Sequence, residues 1–288
     1  MPPVSWPPTL TTRLPPLALW TLVPAMPQDH GPPDDAWIPP PIAPEAREIA
    51  RAVLEAYGRG LFPMADAEDD RQAAGGLDTL AWYDPDPRGV LPIGAGFRVA
   101  RRLERTLRSG VFRFTSDLAF DAVVHACATA PRDGGWIDER IFALFHLMHR
   151  CGHAHSVEAW RAIETIPGHE RGLALIDPAL GGVRVFDGIA HALVGGLYGL
   201  AHRGLFAGES MFHRADLGGT DAGKCCLVLT ERQLREGGFV LFDTQMCTSV
   251  TEAFGCAWVS RQAYRAMLRE AMGGAGVWGR GGAMGVGF

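Results

Sequence analysis

No apolar run near the start of this 288-residue chain reaches the ~20 residues a helical membrane crossing needs; the longest, Leu17 to Met26, is interrupted by Pro24. A single Arg13 before that run and the prolines around it are also wrong for a secretion signal. The six cysteines (Cys127, Cys151, Cys225, Cys226, Cys247, Cys256) include no C-x-x-C pair, which excludes a disulfide framework and the common zinc spacings. Four of them lie in apolar stretches, where a free thiol packs as a small hydrophobe, so a reducing, cytoplasmic setting is expected. His146, His149, His153 and His155 lack an acidic or thiolate residue at a known ligand spacing, and no metal is expected. Ser210 has no G-x-S-x-G around it, which argues against a serine hydrolase. Positive charge is short too: 27 Lys and Arg stand against 32 Asp and Glu, a formal charge of −5. The chain as a whole repels a polyanion, so any nucleic-acid contact has to come from a local patch.

What is present is 47% apolar and 20% charged, enough to bury one large core or two modest ones. Fourteen of the 21 prolines fall in residues 1–44, a density at which neither helix nor sheet propagates. That segment is expected to be disordered, and Met26 offers a second start. Eight of the last 16 residues are glycine, which predicts a loose tail over 273–288. Between these ends, helices are expected from Pro44 to Gly58, from Leu118 to Ala128 behind an Asp117 cap, and from Glu139 to Cys151 behind Asp138. Two more are expected over Ala222–Arg235 and Gln262–Met272. Strand patterns lie at Trp82–Tyr83, Val90–Leu91, Phe112–Thr115, His155–Trp160, Ala192–Leu200, Leu205–Ala207 and Phe239–Asp243. The stretch 161–191, rich in turn dipeptides, reads as a surface hairpin inserted between two core strands. Strands mixed with helices in this order predict an α/β, α+β layered fold.

Three constellations bear chemistry. In Gly204–His213 a single carboxylate, Glu209, sits among bulky apolar groups and should meet a cation; the alternative is a loop-tip Glu or an Arg partner. The apolar strand before Asp243 ends in Asp243 and Gln245, which period-two geometry places on one face, where α/β folds present reacting groups. The plainer alternative is an aspartate capping the next turn. Third, Arg98, Arg101, Arg102, Arg105, Arg108 and Arg113 stand in 16 residues against Glu104 alone. Arg101, Arg105 and Arg108 share a helical face, as a phosphate-backbone contact requires, although charge runs are commonly just a solvated face.

Several segments taken together resemble one family in order: Gly58-Arg59-Gly60-Leu61-Phe62-Pro63-Met64, Trp82-Tyr83-Asp84-Pro85-Asp86-Pro87-Arg88-Gly89-Val90-Leu91, Gly135-Trp136-Ile137, Gly152-His153-Ala154-His155-Ser156-Val157-Glu158-Ala159-Trp160, Leu193–Gly199, Gly208-Glu209-Ser210-Met211-Phe212 and Asp243-Thr244-Gln245. They are similar to the leucyl/phenylalanyl-tRNA–protein transferases over about residues 46–272. The resemblance implies a small N-terminal domain, placed at 45–115 with the basic segment, and a larger GNAT-like acyltransferase domain at 116–272. It implies no metal and no bound cofactor. It also implies a reaction: Leu, Phe, or as a third candidate Met, moves from aminoacyl-tRNA to the N-terminal Arg or Lys of a protein, marking it for N-degron-dependent degradation. The family's Asn-Ala-Ser-Lys stretch appears as Asp221-Ala222-Gly223-Lys224, and its His beyond the Asp-x-Gln strand is replaced around Val250.

On this reading Asp243 takes the proton of the attacking amine with Gln245 holding that amine, and Glu209 accepts hydrogen bonds from the α-ammonium of the transferred residue. Leu197, Phe206, Met211, Leu227 and Phe242 are expected to line an apolar side-chain pocket, and Trp136 to stack on the terminal adenine, unless it is a plain core residue. Arg98, Arg101, Arg102, Arg105 and Arg108 would grip acceptor-stem phosphates. Two rivals stand beside this: a GNAT-like enzyme with another acyl donor, whose pyrophosphate loop is matched only incompletely by Arg132–Ile137, and a non-catalytic RNA-binding protein, which leaves Glu209 and Asp243 without a purpose.

Overall fold

A computed structural model describes residues 41–65, 80–130, 135–166, 168 and 181–286. The expectations for residues 1–40 and for most of 167–180 lie outside the described residues. In chain order the helices are α1 (Pro44–Gly58), α2 (Arg101–Arg108), α3 (Phe120–Thr129), α4 (Glu139–Arg150), α5 (Ala222–Glu236), α6 (Ser249–Ala253) and α7 (Arg261–Gly273). The strands are β1 (Phe62–Met64), β2 (Ala81–Tyr83), β3 (Arg88–Leu91), β4 (Arg113–Ser116), β5 (Ala154–Ala162), β6 (Val183–Phe186), β7 (Ile189–His202), β8 (Leu205–His213), β9 (Leu241–Gln245), β10 (Ala257–Val259) and β11 (Gly282–Ala283).

The described residues divide into two compact units, one from those up to residue 84 with 135–152 and the other from those of 85–130 with 153–286. In the first, α1 opens with Pro44, whose missing N–H is lost at no cost in the first turn. Its buried Ile49, Val53 and Tyr57 make one apolar face, and α1 packs on α4. Asp138 caps α4, its carboxylate accepting the N–H groups of Arg140 and Ile141 at 2.9 and 3.1 Å. This unit is discontinuous in sequence, because α4 closes onto a helix far earlier in the chain.

The second unit is built on a nine-stranded sheet in the order β10-β3-β9-β8-β7-β5-β4-β11, with β6 also paired to β7. Every pairing is antiparallel except β8 with β9. Neighbouring strand residues point to opposite faces, and Gly195 and Gly196 show which helix covers which. A Cβ on Gly195 would lie 2.6 Å from Ala222 of α5, and one on Gly196 would lie 2.9 Å from Val123 of α3. So α5 packs on one face and α3 on the other, each against bare backbone. The apolar core between α5 and the sheet takes in Leu103 and Leu107 of α2.

Three expectations change. Asp117 does not cap α3: its backbone is left-handed (φ 58°), and its carboxylate accepts the Ser156 N–H at 2.8 Å and bonds His155 Nδ1 at 2.9 Å. β8 runs on to His213 instead of ending at Ala207, because the ladder absorbs one extra residue: Gly208 pairs with Gly199 and Ser210 with Tyr198, leaving Glu209 as a bulge. The Gly-rich tail is not loose over its described part. Trp278 stacks between Phe206 (5.1 Å) and His155 (4.8 Å), and β11 adds to β4. One large aromatic anchors what glycine alone would leave free.

Candidate active site

The single parallel pair sets the site. β8 and β9 are registered from Leu205 and Leu241 to Ala207 and Asp243. Past that point β8 stays with β7 and β9 stays with β3, so Glu209 and Gln245 stand where the two parallel strands cease to be registered. β9 carries its own irregularity. Gly89 pairs with Gln245 and Val90 with Asp243, so Thr244 is an extra residue, and Gln245 is left-handed at φ 55°. The expected period-two alternation therefore stops short of Gln245. Gly89 makes room for this turn, since a Cβ there would lie 2.4 Å from the Met246 carbonyl carbon.

Phe242 points into the core under α5, so its neighbour Asp243 points to the opposite face, where α7 supplies Tyr264. The Asp243 side chain is fully buried and forms a two-pronged ion pair with Arg88 of β3: Nε donates to Oδ1 at 2.9 Å and Nη2 to Oδ2 at 2.7 Å. Tyr264 Oη donates to Oδ2 at 2.7 Å and the Gln245 N–H to Oδ1 at 2.9 Å. The guanidinium also lies over the Tyr264 ring, 4.5 Å from its centre. A carboxylate has about four lone-pair sites, and here four donors occupy them. Asp243 is thus the centre of a saturated polar knot, with one strand of it tied directly to the backbone of Gln245.

The Gln245 amide, with its nitrogen turned to the carbonyls, donates to Gly208 O at 3.0 Å and Thr244 O at 2.9 Å. Gly208 O belongs to the peptide that joins Gly208 to Glu209. Gln245 therefore reaches the bulge, bringing two of the three expected catalytic residues within one peptide unit of each other. This orientation commits the amide nitrogen to the protein and turns the amide oxygen away from the two carbonyls.

On the same face as Asp243 lies a second buried carboxylate, Glu158 of β5, fully excluded from solvent. It accepts from the Ser156 hydroxyl at 2.5 Å, from the Thr115 hydroxyl, and from the Ala119 N–H at 3.4 Å. Thr115 in turn accepts the Trp160 indole N–H at 2.7 Å. Burial pushes the Glu158 carboxyl up, against the opposing pull of the Ser156 and Thr115 hydroxyls.

Of the apolar pocket set, Leu197, Phe206, Leu227 and Phe242 are at most 4% exposed and belong to one cluster, with Met211 packed at its margin. They come together as expected, but as packed interior under α5, on the far side of the sheet from the Asp243 carboxylate. Phe206 is flanked there by Phe242, Phe239 and Trp278. Trp136 belongs to the first unit, where its carbonyl accepts the Ala65 N–H at 3.2 Å. Arg98, Arg101, Arg102, Arg105 and Arg108 are all exposed. Arg102 lies 3.7 Å from Asp221 and Arg108 3.2 Å from Glu104, whereas Arg101 and Arg105 have no ion pair among the described residues. Arg113 is drawn away to Asp187 at 2.5 Å and to the Phe186 ring. Lys224 bonds Asp221 at 2.9 Å, at the N-terminus of α5.

Arg88 and Tyr264 were not singled out by sequence reasoning. The one local signal was an arginine directly before the apolar run Gly89-Val90-Leu91, a place where a cation is buried only if paired. Residues 90–181 and 181–269 match the family described as Leucyl/phenylalanyl-tRNA protein transferase, more than half of the chain. The chain belongs to this family. It is 42% identical over 226 residues to the leucyl/phenylalanyl-tRNA–protein transferase of Rhodopseudomonas palustris, covering 77% of this chain and 80% of the relative. It is 41% identical over 225 residues to that of Paramagnetospirillum magneticum, with 77% and 88% covered, and 39% identical over 230 residues to that of Afipia carboxidovorans, with 79% and 84% covered. The family is one of aminoacyltransferases, and this chain is an enzyme of that class. None of its described helices is long and apolar enough to cross a membrane.

Proposed function

We propose that the enzyme moves Leu and Phe, and also Met, from aminoacyl-tRNA to the N-terminal Arg or Lys of cytoplasmic proteins, marking them for N-degron-dependent degradation. The observation that carries this reading is the meeting of Gln245 with the Glu209 bulge at the open end of β8 and β9. A parallel pair that parts in this way, within an otherwise antiparallel sheet, also supports a GNAT-like description of the second unit. Glu209 accepts hydrogen bonds from the α-ammonium of the residue being transferred and so holds its ester carbonyl. The Gln245 amide oxygen accepts an N–H of the attacking amine and aims its lone pair at that carbonyl.

Aminolysis of an ester runs downhill, so alignment is the main contribution the site has to make. The attacking α-amine has a pKa of ~7.7–8.0, and its free-base fraction rises through neutral pH. The new amide bond forms as the ester bond to the ribose oxygen breaks, and the proton shed by the amine ends on that leaving oxygen. Asp243 has no vacant lone pair for this proton, so its role shifts from proton acceptor to positioning residue: with Arg88 and Tyr264 it holds the left-handed turn that presents Gln245. Arg98, Arg101, Arg102, Arg105 and Arg108 contact acceptor-stem phosphates, with Arg101 and Arg105 the principal pair because neither has an internal carboxylate to give up. Trp136 stacks on the terminal adenine.

The test is direct. Purified enzyme is incubated with labelled Leu-tRNA, Phe-tRNA or Met-tRNA and peptides bearing N-terminal Arg, Lys or Ala. Label is expected in the Arg and Lys peptides alone, and its absence from both would overturn the reading.

A further inference from the structure

Two cysteines flank the turn that carries Gln245. Cys247 follows Gln245 by two residues, and its backbone nitrogen lies so close to Gly89 that a Cβ there would be 2.6 Å away. Cys256 leads into β10, whose Ala257 pairs with Val90. The two thiols thus converge on the same point of β3. Cys256 Sγ lies 3.4 Å from Oγ1 of Thr244, the extra residue between Asp243 and Gln245, and the Cys256 thiol is near enough to Cys247 to act on its ionisation. Both are partly exposed, whereas Cys127, Cys225 and Cys226 are buried. The loop between them holds α6, closed at its start by a reciprocal Thr248–Thr251 cap.

We propose that Cys247 and Cys256 form a reversible redox pair, closing to an intramolecular disulfide in the presence of a low-molecular-weight disulfide, and that closure turns transfer off. The pairing stands on the placement of the two cysteines beside β3 and Thr244; only its effect on transfer rests on the function proposed above. Burial, and then the nearby Cys256 thiol, push the Cys247 thiol up to about 12, so Cys247 keeps its proton at neutral pH and is the second sulfur to react. The Cys256 thiolate attacks the small disulfide RSSR, forming Cys256–S–S–R and releasing one RSH. Cys247 then gives up its proton, attacks the Cys256 sulfur and expels the second RSH. Two thiols are oxidised to one disulfide, and one RSSR is reduced to two RSH.

An S–S bond of about 2.0 Å draws the two sulfurs inside any non-bonded separation. The displacement falls on Met246 and Cys247, next to the left-handed Gln245, and on Cys256, which touches Thr244. A misplacement of ~1 Å in a group that aligns reactants costs about 10²-fold in rate.

The test uses the full-length reduced protein exposed to oxidised glutathione, followed by alkylation, peptide mass mapping and the transfer assay in parallel. A peptide pair bridged through Cys247 and Cys256 is expected, with transfer down by more than about tenfold and both changes reversed by dithiothreitol. Cys247→Ser should give a glutathione adduct on Cys256 and no bridge, while Cys256→Ser should give no bridge and keep its transfer rate in oxidant. Absence of the bridged pair, or a bridge that leaves transfer unchanged, overturns the proposal. Should the reduced protein transfer nothing, the transferase reading fails by itself, and the mapped peptides still decide the redox pair.

Discussion

Two carboxylates are buried on the same face of the sheet, and they are stabilised in different ways. Asp243 is met by a guanidinium in two-pronged geometry, by a phenol and by a backbone N–H. Glu158 is held by two hydroxyls and a backbone N–H, and the half-buried Arg184 guanidinium acts on it through space without an ion pair. A buried carboxylate with a fixed counter-charge is an anchor: its oxygens and everything bonded to them have one position. A buried carboxylate without a fixed ion pair resists ionisation instead: burial displaces Glu158 upward although its two hydroxyl donors pull the other way. The first arrangement sits beside Gln245 and sets it. The second lies under α3 and secures β4 to β5.

The comparison breaks most sharply at Arg88. Arg88→Met leaves Asp243 buried and unpaired, which should cost ~3–5 kcal/mol in unfolding free energy and remove transfer. Adding Asp243→Leu to Arg88→Met should recover much of that stability in urea titrations while transfer stays lost, because the fold tolerates an apolar replacement and Gln245 does not. Tyr264→Phe removes one hydrogen bond to a charged acceptor and leaves the ion pair. Its expected cost is ~1.5–3 kcal/mol, with turnover falling more than substrate binding. Glu158→Gln should be the mildest change at neutral pH. The folded protein holds the Glu158 proton above the ordinary value of 4.5, so folded chains bind more protons than unfolded ones as pH rises from there. Stability is then fully present below that value and is lost as pH rises towards the displaced one. Glu158→Gln removes this contribution, so unfolding free energy measured from acid to neutral pH should fall less steeply than in the parent, with equal or greater stability at neutral pH.

Much of the scaffold was legible in the sequence, and for local reasons. Pro44 and Asp138 announce helix starts because each meets a need of the first turn. The Asp187-Gly188 dipeptide announces the β6–β7 hairpin because both residues adopt positive φ, 52° and 81°. What stayed hidden depends on residues far apart. Arg88 reads locally as part of a Pro-rich turn, and only the fold reveals its partner at position 243. Tyr264 sits at an apolar position of α7 and looks like core until its hydroxyl is seen on Asp243. The apolar set at Leu197, Phe206, Leu227 and Phe242 shares one core cluster, and hydrophobicity alone cannot tell a filled core from an open pocket. Glu209 was found by its isolation among apolar residues, but the bulge that re-aims it is a matter of register between β7 and β8.

The central claim is that Asp243 holds Gln245 in place and does not itself take the proton, and Asp243→Asn tests it most directly. Single-turnover transfer by this variant and the parent is followed from about pH 6 to about pH 9, across the ~7.7–8.0 pKa of the attacking amine. Asn presents donors to Arg88 and Tyr264, so the knot loosens at every pH. Transfer is expected to drop about 10²-fold with the ratio to the parent constant across the range and a lower melting temperature. Recovery of the variant towards the parent rate at high pH, where the amine arrives already deprotonated, would contradict the account and return Asp243 to the role of proton acceptor.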